Sequence, residues 1–258
     1  MMLNERQDHI LALLNHRGEL EVEQLSEQFS VSTQTIRKDL NQLCELGLAR
    51  RIHGGVSLPA SALNLSYGSR EQLNAGVKHK MAQALAARIP DGSTLMLGIG
   101  TSVAHLARAL SQHQRLRVLT NNLDVAGVLC EYPAIQVLVI GGHLRHNDRD
   151  MVGEPVTRTL DQYRVDFGIV GAGGLHPNDG VLDFDPQEAN VSRAILRNAR
   201  QRVLLADASK WSRSPMVKVA GFDSIDLLVC DSLPDIQLEH ALREHAVGLI
   251  QTGGQMDA

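Results

Sequence analysis

Five short segments of this chain concentrate groups suited to holding a small anion: Gly98-Ile99-Gly100-Thr101-Ser102, Thr120-Asn121-Asn122, Gly141-Gly142-His143-Leu144-Arg145, Gly171-Ala172-Gly173-Gly174 and Asp207-Ala208-Ser209-Lys210. Each follows an apolar run. Gly98, Gly100 and Gly142 permit close backbone approach. Thr101, Ser102, Thr120, Asn121 and Asn122 offer hydroxyl and amide donors, and Arg145 and Lys210 can neutralise charge. A single turn of this composition commonly does no more than reverse the chain. Pooled, the five describe the chemistry of a polar, phosphorylated small molecule.

Other chemistries fit these residues less well. Gly98-Ile99-Gly100-Thr101-Ser102-Val103 approaches the dinucleotide fingerprint but lacks its third glycine. Thr120-Asn121-Asn122 stands at the next strand end, where a ribose-binding carboxylate belongs. No cofactor is expected. His143, His146 and Asp148 are metal-ligand types, yet they share a loop with Arg145 and Arg149 and have no identifiable further ligand, so a solvated loop is expected and no metal. Asp183, Asp185 and Glu188 could supply an acid and a base. Their place before and inside the first turn of a helix starting near Pro186 also suits capping, and Glu188 is retained as a candidate ligand contact.

A second kind of chemistry lies upstream. Ser32 is placed to cap a helix whose apolar face is Ile36, Leu40 and Leu43 and which stops at Gly47. Gln34, Arg37, Lys38 and Asn41 follow one another at i, i+3, i+4 and i+7, so these long donors project together, as reading base edges and phosphates requires. Just beyond, Arg50, Arg51 and His53 surround Gly54-Gly55 between two extended pieces. A short helix, a turn, a second helix with such a face and a basic hairpin make a winged helix-turn-helix. The net charge of −4 gives no global hint of nucleic acid, but its distribution does. Residues 1–29 are predominantly acidic, whereas Arg37, Lys38, Arg50 and Arg51 outnumber Asp39 and Glu45 over 30–57.

These residues need two frames. Over 3–46 three short helices are predicted, with Ile10, Leu13 and Leu14 on one face of the first and Val22, Leu25 and Phe29 on the second. Residues 1–57 are therefore assigned to a DNA-binding domain, 58–77, rich in Ser, Ala, Gly and Asn, to a linker, and 78–258 to a second domain. There the runs TLMLG, LRVLT, IQVLVIGG, VDFGIVGAGG, RVLLAD and IDLLVCD alternate with helical stretches, which predicts a largely parallel α/β sheet covered on both faces. Ligands of such sheets sit at the carboxyl ends of the strands. No apolar run approaches the ~18 residues of a membrane span, and residues 1–6 lack the pattern of a secretion signal. Cys44, Cys130 and Cys230 suggest no disulfide framework, and the cytoplasm is the expected compartment.

The segment VSTQTIRKDLNQLCELGLARRIHGGV, with IGTS, TNN, GGHLR, VDFGIVGAGGL and DASK further on, resembles the DeoR family of bacterial transcriptional repressors over essentially the whole chain. The resemblance implies a winged helix-turn-helix joined to an effector domain with the fold of ribose-5-phosphate isomerase. It also implies release from operator DNA by a phosphorylated sugar or polyol such as glycerol 3-phosphate, and a homodimer or homotetramer. Thr33, Gln34, Thr35, Arg37 and Lys38 match the family's recognition helix, and Arg51, His53 and Gly54 its wing. Gly100, Thr101 and Ser102 match its phosphate loop, Asn121 and Asn122 the next loop, and Asp207 and Lys210 a pair tied to effector response. The family commonly has Asp where this chain has Gly98, which removes an acceptor for ligand hydroxyls. The alternative is a sugar-phosphate isomerase with an accessory DNA-binding module. It is disfavoured because the strand-end loop 171–174 lacks the carboxylate such an enzyme needs.

Overall fold

The computed structural model describes residues 3–57, 67–211, 213, 215–234 and 236–253. The chain divides into two compact units, Met1–Ala75 and Gly76–Ala258. In the first, α1 (Glu5–Arg17) begins with a reciprocal cap between Asn4 and Gln7 and ends at Gly18. Helix α2 (Val22–Gln28) leads to α3 (Thr33–Glu45), where the Ser32 side chain accepts from the Thr35 amide. Ile10, Leu14, Leu25, Ile36, Leu40 and Leu43 form the core. Leu11 is buried where Leu13 was expected, and Leu13 is only half-buried.

Strands β2 (Arg50–Ile52) and β3 (Gly55–Ser57) form the hairpin expected at Gly54-Gly55. A strand the sequence does not announce, β1 (Glu19–Glu21), pairs with β3 by burying Leu20 between two exposed glutamates. Part of the segment 58–77 also departs from the expected linker. Residues 58–66 lie outside those described, but Tyr67–Gln72 forms α4 and α5 (Ala75–Ala86) follows at once. The reason is burial: Tyr67 is buried, and Leu73 joins the core of the first unit.

The second unit is built on seven parallel strands: β4 (Thr94–Leu97), β5 (Arg117–Thr120), β6 (Gln136–Val139), β9 (Val165–Val170), β12 (Ala199–Leu205), β14 (Leu227–Cys230) and β15 (Gly248–Gln251). They lie in the order β15-β14-β12-β9-β4-β5-β6. Alternate residues serve opposite faces. Leu95, Leu97, Val118 and Leu205 pack with Met81 and Leu85 of α5, with Leu106 of α6 (Thr101–Ala109) and with Val125 of α7 (Leu123–Leu129). Met96, Leu119, Leu204 and Leu228 pack with Val156 of α8 (Glu154–Leu160), Ile195 of α9 (Pro186–Arg197) and Leu238 of α10 (Ile236–Glu244).

From β4 the chain runs outward through β5 and β6, then returns to place β9 on the other side of β4. The chain thus continues from β4 into α6 on one face of the sheet and from β9 towards α9 on the other, and this switch point is the crevice in which open α/β sheets bind ligands. Two antiparallel additions flank it: β7 (His143–Arg145) with β8 (Asp150–Val152), and β10 (Gly174–His176) with β11 (Gly180–Asp183) and β13 (Val217–Ala220). Among the described residues no helix is long and apolar enough to cross a membrane.

Candidate functional site

On α3 the side chains of Thr33, Gln34, Arg37, Lys38 and Asn41 are exposed, Thr35 is half-buried beside the cap, and Arg50, Arg51, His53 and Gly54 are exposed on the hairpin. Arg51 reaches back to α3, donating to the Asn41 side chain and, at 3.4 Å, to the Arg37 carbonyl. This fixes the hairpin against the C-terminal half of the helix and leaves Gln34, Arg37 and Lys38 on its N-terminal half. Arg50 donates to Ser57 Oγ at 3.4 Å. The helix is held from behind by a polar contact that sequence reading misses: Asp39, 5% exposed, accepts from Arg6 at 2.6 Å and from Gln7 at 3.2 Å.

In the second unit the loops come together at the crevice. Gly100 caps α6 with φ +109°, a conformation that favours glycine, and contributes no side-chain bond to the helix. The first turn of α6 carries the positive end of the helix, and the buried Thr101 and Ser102 stand in that turn. Thr120 and Asn122 tie the neighbouring loop down. Thr120 Oγ1 donates to the Leu97 carbonyl at 2.7 Å, while Asn122 caps α7 and donates to the Gly98 carbonyl at 3.4 Å. Asn121 differs. It is 1% exposed, its Nδ2 donates to the Met151 carbonyl at 2.7 Å, and its Oδ1 has no hydrogen-bond partner.

Gly98 is buried with little room for more, since a Cβ there would stand 3.1 Å from Ile195 Cδ1 and 3.3 Å from the Ile169 carbonyl. Gly142 is packed against Val156 and the Val152 carbonyl, which gives it a structural task whatever else it does.

Asp207 is 1% exposed and caps a short 3-10 turn, Ala208–Lys210, by accepting from the Ser209 amide. Burial pushes its carboxyl up, but Lys210 and then Lys78 outweigh that and hold it at about 2. Lys78, 3% exposed, is absent from the residues singled out by sequence, yet a signal exists. It shares the apolar face of α5 with Met81, Ala82 and Leu85, and a lysine on such a face requires a buried countercharge.

Arg145 is not left to meet a ligand alone. Its guanidinium holds both oxygens of Asp150 at 2.9 Å, Asp185 at 3.0 Å, Asp148 at 3.6 Å and Glu188. Asp185 caps α9, as expected of a residue before that helix. Glu188 stands in the first turn of α9, as expected, and Asp183 ends β11; both are buried, and they hydrogen-bond to each other beside the loop after β9. Burial and then Asp183 raise Glu188 to about 9 against the pull of Arg145, and burial raises Asp183. His143 and His146 remain exposed.

The two assemblies, an exposed basic helix with its wing and a phosphate-suited crevice in a parallel sheet, coincide with two known domains. Residues 6–62 match the DeoR-like helix-turn-helix domain and residues 73–232 the DeoR C terminal sensor domain. The chain belongs to the DeoR family. It is a DNA-binding transcriptional repressor of that family with an effector-sensing domain. This DeoR-family chain is 37% identical to the glycerol-3-phosphate regulon repressor of Escherichia coli K12, across 96% of its own length and 99% of that relative. It is equally identical to the protein of the same name from Haemophilus influenzae, across 97% and 98%. The HTH-type transcriptional repressor CsqR of Escherichia coli K12 is 35% identical across 96% and 95%. Among solved structures it is similar to ribose 5-phosphate isomerase A from Methanocaldococcus jannaschii, with 20% identity, a TM-score of 0.40 and coverage of 54% of this chain and 55% of that one.

Proposed function

We propose that this repressor acts in the cytoplasm on an operon of carbohydrate or polyol catabolism. It binds double-stranded operator DNA as a homodimer or homotetramer and leaves it when a phosphorylated sugar or polyol occupies the carboxyl edge of the sheet. The observation that carries the effector class is the N-terminus of α6, with buried Thr101 and Ser102 at the crevice between β4 and β9. Glycerol 3-phosphate is the first candidate, because two relatives at 37% identity are named for the glycerol-3-phosphate regulon.

DNA reading is assigned to residues 1–57. Gln34, Arg37 and Lys38 enter the major groove, Thr33, Thr35 and Asn41 support that contact, and Arg50, Arg51, His53 and Gly54 lie along the backbone beside the wing. Effector binding and oligomerisation belong to 78–258. Two recognition helices are needed to match operator half-sites about one helical turn, or a multiple of it, apart.

The test is release of the full chain from its own upstream DNA, measured by mobility shift against glycerol, hexose and pentose phosphates. Release by one of these and not by inorganic phosphate is expected. Retention of the complex with every one of them would overturn the assignment. The buried Asp183–Glu188 pair favours a second possibility, isomerase chemistry, and turnover of ribose 5-phosphate by the wild-type chain would establish it. No turnover is expected.

A further inference from the structure

The crevice has an unbalanced wall. Among the described residues Arg145 pairs with Asp148, Asp150, Asp185 and Glu188, and Asp183 hydrogen-bonds with Glu188 and is drawn on by Lys210 and Arg145. Five carboxyl groups thus share two cations, Arg145 and Lys210. This wall is continuous with the loops of the crevice. A Cβ on Gly173 would stand 2.9 Å from Asp183 Oδ1, and one on Gly171 would stand 3.4 Å from the Ile99 carbonyl, so the loops after β9 and β4 and the end of β11 are in close contact.

Residues 121–122 run beside Asp150 of this wall. The Asn121 backbone carbonyl accepts from the Met151 amide at 2.9 Å, Asn122 bridges to Asp150, and the Asn121 Oδ1 is a buried acceptor that no protein group satisfies. A buried amide oxygen left without a donor costs free energy that a ligand hydroxyl can recover.

We propose that the carboxylates around Arg145, with Asn121 Oδ1, form a hydroxyl-recognition subsite that accepts the polyol end of the effector and rejects a second anionic group there. The subsite rests on the effector reading given above, in which the phosphate end lies at the α6 N-terminus. A ligand rich in O–H donors supplies what this wall lacks, whereas a carboxylate adds another negative charge to an excess already buried. The subsite thus fixes the direction of the ligand. Its hydroxyls face Asn121 and the acidic wall, and its phosphate faces Thr101 and Ser102.

Matched ligands test this on the full chain by titration calorimetry: glycerol 3-phosphate against 3-phosphoglycerate, and glucitol 6-phosphate against 6-phosphogluconate, each pair differing at the end remote from phosphate. In whichever pair the neutral-ended member binds, the carboxylate-ended member is expected to bind at least about tenfold more weakly. Asp183→Asn should narrow that ratio. Asn121→Ala should weaken the neutral-ended ligand while leaving competition by inorganic phosphate unchanged, a pattern that general damage to the fold does not produce. Equal affinity within the pair for the wild-type chain would overturn the subsite with the effector reading intact. Failure of all four ligands and of inorganic phosphate to bind would overturn both.

Discussion

Glu188 and Asp207 are buried carboxyls in one domain, and their neighbours drive them in opposite directions. Asp207 lies between Lys210 and Lys78 and stays ionised, held at about 2 despite its burial. Glu188 has Arg145, but it also has Asp183 and Asp148, and burial with those charges raises it to about 9. The two therefore leave opposite signatures in stability. A carboxyl raised above its unfolded value binds its proton more tightly in the folded chain, so between its ordinary 4.5 and about 9 it lowers stability as pH rises. A carboxyl depressed below 3.8 contributes stability above that value and loses it as pH falls towards 2. Glu188→Gln keeps the neutral form at every pH. Its melting temperature should decline less than the wild type's between about pH 6 and about pH 9, and parallel melting curves across that window would show that Glu188 is already ionised in the folded chain.

At the level of elements, helix α3 is the best-marked part of the molecule, and its cap is open to a direct test. Ser32 Oγ accepts from the Thr35 amide at 3.2 Å and lies 2.9 Å from the Thr35 hydroxyl. Ser32→Ala should destabilise the first unit by about 1 kcal/mol and loosen the turn that carries Gln34. A calorimetric transition unchanged within about 0.5 kcal/mol would show that the cap carries no weight in the full chain. This helix is legible in sequence because cap, apolar period and terminal Gly47 agree. The parallel strands are legible because burial on both faces makes them continuous apolar runs. Strand β1 and the β7–β8 hairpin are not, since three-residue strands are too short to show a period and these lack the Gly-Gly turn that marks β2 and β3. The acidic wall is hidden for another reason. Arg145 finds Asp185 40 residues away in sequence, and only the fold reveals that a cation suited to a ligand is already surrounded by carboxylates. Lys78 lies between these cases: its place on an apolar face is readable, but its partner Asp207 is not.

At the scale of the molecule, a repressor must make two separate sites interdependent, and thermodynamics constrains how. An effector weakens operator binding only if it has unequal affinity for the DNA-competent and DNA-incompetent arrangements of the chain, and the coupling is reciprocal. Saturating operator DNA must then weaken effector binding by the same factor by which saturating effector weakens operator binding, within a range of roughly 5- to 150-fold for common allosteric proteins. The chain carries its own reporter. Trp211 is its single tryptophan, follows Lys210 directly, and buries an indole Nε1 without a hydrogen-bond partner. Effector bound beside Lys210 is expected to change the emission of Trp211, so glycerol 3-phosphate can be titrated by fluorescence with and without an operator duplex. The ratio of the two midpoints should equal the ratio of operator affinities measured by mobility shift with and without glycerol 3-phosphate at the same salt, since phosphate contacts make both ratios depend on ionic strength. In Lys210→Ala the operator affinity without effector should be retained and both ratios should shrink together. A fluorescence midpoint unmoved by operator, beside a mobility shift that responds to effector, would mean that Trp211 and the repressing site report on different ligand-binding events.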